Sequence, residues 1–268
     1  RDSSTSRGLG DVYKRQLLTP TQTATKLELL KPAPSLHISG GGKLDGKAYL
    51  TQLAKRLTHQ QVAIINDRVS FQPKGDTWLI QGDFGEKLVD RIILTPGPAL
   101  KPLLETIGYT VDIRPQKGQL LVFDSPYQHS SEWPVAMLDG EADFIPFMSG
   151  KILIGATHEN DGGWDLAPTK TAYEMLTTHT KQFLAKPEQL NDWHYHFRVG
   201  TRAYTSDFSP FFGSVPDDPA LLVASGLGSS GLTTGPYIGY LLADYLNTGN
   251  WQDKNYQKEI KTYISKSV

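Results

Sequence analysis

The sequence predicts a mixed fold, α/β plus α+β, on three observations. Near the C-terminus an apolar run (Ala220 to Ala224), a glycine-rich turn and a helical pattern (Tyr237 to Leu246) follow one another as in an α/β layer. A second apolar run, Ile92-Ile93-Leu94, has no polar alternation and suits a strand covered on both faces. Between them, Gln119 to Phe123, Phe144 to Phe147 and Lys151 to Ala156 are rich in β-branched and aromatic residues and are separated by polar turns, which predicts an antiparallel sheet.

Taken in order, residues 1–16 are polar and aperiodic and read as a non-native leader outside the fold. Pro32 to Ser39 is extended, and Gly40-Gly41-Gly42 breaks it before a helix that starts near Asp45 and shows helical apolar spacing from Ala48 to Leu57. Val62 to Ile65, Val69 to Phe71 and Thr77 to Gln81 read as the strands of a small meander, with Lys74-Gly75-Asp76 as a hairpin turn. Thr95-Pro96-Gly97-Pro98 stops the Ile92 strand, and a short helix spans Leu100 to Glu105. A helix between Thr169 and Leu184, bounded by Pro168 and Pro187, a strand at His194 to Arg198 and a C-cap at Asn247-Thr248-Gly249 complete the pattern, leaving a polar tail from Trp251.

Composition narrows the function. Lys plus Arg number 27 against 28 Asp plus Glu, a formal net charge of −1, so neither nucleic acid nor an anionic membrane is an expected partner. No apolar run approaches the roughly 20 residues that span a bilayer, and no secretory apolar core opens the chain, so the cytoplasm is the expected compartment. There is no cysteine, which removes disulfides, thiolate metal sites and cysteine nucleophiles together. His194 and His196 share a strand face, but no third ligand stands near them in sequence, and no metal is expected. Trp133 and Trp164 read as packing residues.

Gly226-Leu227-Gly228-Ser229-Ser230-Gly231 matches G-x-G-x-x-G between a strand and a helix. A nicotinamide-type site needs a second strand and an acidic residue about 20 residues further on, and the remaining chain does not supply them. The local physics still favours a ligand: glycines admit close backbone approach, and a helix N-terminus presents N–H groups to something electron-rich. Upstream lies Gly200-Thr201-Arg202-Ala203-Tyr204-Thr205-Ser206-Asp207-Phe208-Ser209-Pro210-Phe211-Phe212-Gly213.

The order G-x-R-x-x-x-x-D-x-x-P-x-x-G, a short strand, then G-x-G-x-x-G-x-x-x-x-P-x-x-G resembles the C-terminal half of the D-amino-acid oxidase and glycine oxidase superfamily. Gly41-Gly42 with the Asp45 helix, Ile92 to Gly97, Lys117-Gly118-Gln119 and Gly155-Ala156-Thr157 extend the resemblance over about Leu36 to Leu246. It implies FAD as cofactor and a partial FAD/NAD(P)-binding domain, glutathione-reductase-like, formed by 17–110 and 201–268, with an antiparallel-sheet substrate domain over 111–200. It also implies oxidation of an amino acid or related amine bearing a carboxylate, by hydride transfer to the flavin, with no catalytic acid or base required of the protein.

Residue by residue, Arg202 matches the arginine that grips the substrate carboxylate, a task suited to its planar fork. Gly226, Leu227, Gly228, Ser229, Ser230, Gly231, Leu232 and Thr233 match the segment against the flavin ring. Val69 matches the position beside the adenine, and Gly97 the turn over the cofactor. Asp207 with Pro210 reads as a turn positioning Arg202. The resemblance breaks in two places. The family's opening strand, dinucleotide turn, helix and second strand have no counterpart before Leu36, so this stretch of chain is expected not to hold FAD tightly, and a non-catalytic remnant is the alternative reading. Glycine oxidases carry an arginine where Ser229 stands and a pocket tyrosine where Asp143 stands, so those two substrate-side positions do not transfer a glycine preference.

Overall fold

The Asp45 carboxylate accepts from the Ala48 amide at 3.0 Å, and the cap starts a 14-residue helix where the sequence places it. The computed structural model describes residues 15–140, 142–252 and 258–267. Along them run β1 (Arg15–Leu18), α1 (Pro20–Lys26), β2 (Ser35–Ile38), α2 (Gly46–His59), β3 (Ser70–Lys74), β4 (Thr77–Gly82), β5 (Gly85–Val89), β6 (Ile92–Leu94) and α3 (Leu100–Glu105). Then come β7 (Tyr109–Val111), β8 (Arg114–Asp124), β9 (Asp143–Pro146), β10 (Lys151–Gly155), α4 (Lys170–Lys181) and β11 (His194–Tyr204). The chain closes with β12 (Phe211–Val215), β13 (Asp218–Ser225), α5 (Gly231–Thr248) and β14 (Ile264–Lys266).

Contacts divide the chain into two compact units. The first holds the chain up to Leu44, Lys117–Glu159 and Asp165–Gly200; the second holds Asp45–Gln116, Asn160–Trp164 and the chain from Thr201. In the first unit, β11-β8-β10-β9 form a four-stranded sheet in which β10 runs antiparallel to both neighbours, Ile152 facing Phe123 and Pro146. Leu121, Phe123, Phe144, Ile152 and Ile154 alternate into one core with Leu176 of α4. Thr169, expected at the edge of that helix, caps it through its hydroxyl on the Ala172 amide. Residues 17–44, expected with the cofactor part, pack here instead: Leu27 and Leu29 enter this core, and Leu29 and Lys31 exchange backbone bonds with Ala185 and Phe183. Those bonds to a segment some 150 positions away are invisible in the local pattern.

In the second unit the central sheet has the order β12-β13-β6, with β13 antiparallel to β12 and parallel to β6. Leu221 and Val223 face one core with Leu100, Leu104 and Phe211, while Leu222 and Ala224 face another with Ile238, Leu241 and Leu242 of α5. Covering on both faces is why the β13 sequence is continuously apolar. β6 is the edge of this sheet among the described residues, and Ile93 on it is 40 % exposed.

Several expectations need correction. The meander exists but is β3-β4-β5, shifted one strand along the chain: Val62 to Ile65 forms no strand, and Ile64 is 60 % exposed. Extended residues become a strand only against a partner, and none of the described residues pairs with these. β5, Gly-Glu-Lys-Leu-Val, has a polar exposed face that hides its strand character. The tail is not merely polar, since β14 pairs with β7 and buries Tyr263 and Ile264 in the Leu100 core. Arg15 and Gln16, assigned to the leader, lie in β1 opposite Ile38 and His37; the rest of that leader lies outside the described residues. Trp133 is buried as expected, whereas Trp164 is 59 % exposed and packs into no core.

Candidate functional site

β6 and β13 run parallel, so both carry their chain out at the same end of the sheet, the end where open α/β sheets bind ligands. β6 leads into a turn in which Gly97 has φ +62°, and β13 leads into one in which Gly226 and Gly228 have φ +76° and +52°. A side chain at any of these would be strained. Ser225, the last residue of β13, ties the two turns together by donating its hydroxyl to the Gly97 carbonyl at 2.9 Å.

The glycine turn also leans on β11. The Gly228 amide donates to the Ala203 carbonyl at 2.9 Å, and the Tyr204 hydroxyl lies 2.9 Å from Ser229 Oγ. A Cβ on Gly228 would meet Tyr204 Cε1 at 2.6 Å, and one on Gly226 would meet the Ser209 carbonyl at 3.0 Å. The turn therefore sits directly on the chain from Ala203 to Ser209. Arg202 is two residues before Tyr204 on β11 and shares its face of the strand. Arg202 is half-buried, while Ala203 on the opposite face joins the Leu100 core.

Asp207 holds the stretch after Arg202 in shape. It accepts from Thr205 Oγ1, the Ser209 amide and Tyr263 Oη, each at 3.0 Å, and from Lys258 Nζ. Lys258 in the first place holds its carboxyl well below the usual carboxylate range, with the Ser209 amide and the Thr205 and Tyr263 hydroxyls adding to the effect against partial burial. Asp207 is thus the anchor of a turn, as its sequence setting indicates. The two residues that complete the anchor, Lys258 and Tyr263, come from the tail, and no local motif points to them.

Helix α5 begins here. Ser230 stands at its N-cap position but spends its hydroxyl on the Leu227 carbonyl, at 2.8 Å, and leaves the first helical amides without a side-chain cap. Leu232 and Thr233 are exposed beside it, and a Cβ on Gly97 would meet nothing within 4 Å. Helix amides without a side-chain cap, beside the open Gly97 turn, would fit the electron-rich edge of a flavin.

Of the residues the sequence singles out, Gly97, Arg202 and Gly226 through Thr233 therefore gather around the ends of β6, β13 and β11 in the second unit. Val69 belongs to the same unit, one residue before β3, and is exposed. Asp143 opens β9 in the first unit, opposite Gly155, where burial pushes its carboxyl above the usual range. Two functional-looking features were not anticipated. Lys117, noted only as part of a motif, is 1 % exposed and donates to the Ala167 carbonyl at 2.6 Å and to Asp165 at 3.1 Å. A cleft of about 660 Å³ in the first unit is lined by Glu28, His37, His129 and Trp133, and holds none of the expected site residues. Among the described residues no group of three or more His, Asp or Glu side chains is placed to hold a metal.

The family model described as FAD dependent oxidoreductase, DAO, matches residues 4–245. The chain is 30 % identical over 237 residues to the uncharacterized oxidoreductase YurR of Bacillus subtilis, covering 88 % of this chain and 63 % of that protein. It is 28 % identical over 210 residues to a glycine oxidase of Pseudomonas aeruginosa, covering 75 % of this chain and 53 % of the relative. Among solved structures, iminodiacetate oxidase from Chelativorans sp. BNC1 superposes with a TM-score of 0.85 at 25 % identity, over 94 % of this chain and 69 % of that one. Glycine oxidase from Geobacillus kaustophilus superposes with a TM-score of 0.82 at 19 % identity, over 94 % and 68 %. The chain thus spans less than two thirds of the length of the curated relatives it matches first, and it belongs to the DAO family of FAD-dependent oxidoreductases.

Proposed function

We propose that this chain is the ring-binding and substrate-binding part of a longer FAD-dependent oxidoreductase that oxidises an amino acid or related amine carrying a carboxylate. One observation carries the reading: three stretches far apart in sequence, Gly97, Arg202 to Tyr204 and Gly226 to Gly231, meet at one end of the second unit's sheet. FAD, when bound, supplies the hydride acceptor. The chain supplies the rest. Arg202 would hold the carboxylate through its planar fork, and the start of α5, without a side-chain cap, would favour negative charge on a flavin edge bound beside it by about 0.3–2 kcal/mol. Ser229 and Asp143 are the substrate-side positions where the glycine oxidase pattern breaks. Residues 45–110 and 201–268 are assigned to FAD and 111–200 to the substrate, with 17–44 packing in the first unit. Iminodiacetate and glycine, the substrates in the names of the relatives, both fit an amine with a carboxylate. Among the described residues no helix is long and apolar enough to cross a membrane.

The open edge of β6 and the unpaired Val62 to Ile65 run support a further part of this reading. A preceding βαβ unit, carrying the phosphate-binding turn, would supply strands for both. The 268 residues by themselves then hold FAD weakly, which is the second reading, a stretch of protein that does not catalyse alone. The test is to express the chain behind the preceding segment of its own gene, look for bound flavin, and follow bleaching by amines with and without a carboxylate. Flavin bleached only by carboxylate-bearing amines, with Arg202→Ala weakening them while flavin stays bound, is the expected result. Absence of flavin from the longer protein, or equal bleaching by amines lacking a carboxylate, would overturn the proposal. FAD binding at micromolar strength by the 268 residues alone would overturn the second reading.

A further inference from the structure

Tyr204 stands where the strand that carries Arg202 meets the glycine turn. Its ring lies under Gly228 so closely that no side chain fits between them, and its hydroxyl pairs with Ser229 Oγ at 2.9 Å. The preceding carbonyl, that of Ala203, accepts the Gly228 amide at 2.9 Å. The ring is 9 % exposed and is braced edge-on by Phe208 at 5.4 Å between centroids. Phe208 in turn lies beneath the Arg114 guanidinium at 5.3 Å. The turn is therefore held to β11 by one backbone bond, one side-chain bond and a ring in contact, all within two residues of Arg202.

We propose that Tyr204 is a positioning residue: it sets the Gly228–Ser229 peptide at the height the flavin ring requires and locks that height to the strand carrying Arg202. The inference rests on the functional reading above. It accounts for a departure from the family pattern, because a serine at 229 is the short hydroxyl partner that Tyr204 reaches, where glycine oxidases carry an arginine. Ser229 accordingly acts through Tyr204 on the turn.

Side-chain placement in this pair makes the roles separable. Tyr204→Phe keeps the ring under Gly228 and removes only the bond to Ser229; Ser229→Ala removes the same bond from the other side. Two partners in one bond act as a unit, so the double variant should be no worse than either single one. Tyr204→Ala removes the ring as well.

The experiment uses the longer protein and two readouts. Hydrogen exchange of the segment 226–232 should quicken by about tenfold in Tyr204→Phe and in Ser229→Ala, to the same degree and without further change in the double variant. The flavin absorption bands and reduction potential should shift alike in both, and kcat should fall by about tenfold with KM for the carboxylate substrate held within twofold. Tyr204→Ala should in addition lose flavin on gel filtration. Exchange rates of the turn unchanged in both single variants, or effects that add in the double variant, would overturn the proposal. A loosened turn with an unshifted flavin spectrum and potential would overturn the part concerning the ring. A loosened turn in a longer protein that binds no FAD at all would instead sink the functional reading, and the ring assignment with it.

Discussion

The Ser225 hydroxyl donates to the Gly97 carbonyl across 128 positions of sequence, at 2.9 Å, and so joins the turns that end β13 and β6. Ser225 is 1 % exposed, whereas Gly97 is half-buried, so the bond joins an interior donor to an acceptor that keeps some access to water. Ser225→Ala should destabilise the protein by about 0.5–1.5 kcal/mol, the net contribution of one hydrogen bond whose acceptor water can partly satisfy. Urea unfolding measures this, and an unchanged midpoint and slope would mean that the two turns are held by other contacts.

Asp207 predicts an acid limb in the stability profile. Its folded carboxyl lies below the ordinary range, chiefly through Lys258, so its contribution is full above the unfolded value of about 4 and is lost as the pH falls below it. Asp207→Asn should melt lower than the parent at pH 7, and the gap should begin to narrow below about pH 4 and go on narrowing as the pH falls further. A gap independent of pH would show that the ionised carboxylate is not what the turn relies on.

Lys117 makes a stronger claim on packing. Its ammonium reaches the Ala167 carbonyl and the exposed Asp165, and its stem is wholly buried. Lys117→Ala should cost about 2–4 kcal/mol, combining a lost charged hydrogen bond with a cavity, whereas Lys117→Met should recover the packing share, roughly half. Equal losses in the two variants, read by thermal unfolding, would place the whole effect on the hydrogen bonds.

Helix α2 tests the proposed preceding segment. None of its residues is buried, and Leu50, Leu53 and Leu57 recur at helical spacing on its exposed surface. Replacing Leu53 and Leu57 by Lys should change the stability of the 268 residues by less than about 0.5 kcal/mol each while reducing binding of an apolar dye. In the longer protein the same pair should lower stability by about 2–4 kcal/mol, since those side chains would then be covered. Indifference in both settings would remove the helix from any interface.

Local chemistry made much of this fold readable in advance. Asp45 and Thr169 cap their helices, and the apolar runs at Ile92 and Ala220 are strands. The glycine turn leads straight into α5. Each of these is encoded within a few residues, by a cap, a periodicity or a conformation only glycine adopts easily. The helix that the periodicity places at Tyr237 in fact starts at Gly231, because Pro236 within its first turns masks the pattern.

Residue order was enough to identify most helices, the central strands, the family, and the residues to watch: Arg202, Gly97 and the glycine turn. The tertiary structure alone decided that Val62 to Ile65 stays unpaired, that the tail returns as β14 to pin Asp207 through Tyr263, and that Ser229 is committed to Tyr204. The reason is physical. A cap or a turn is satisfied by its own neighbours, whereas a strand, a buried lysine or a shared hydroxyl takes its energy from a partner that the chain must first bring back from far along its length.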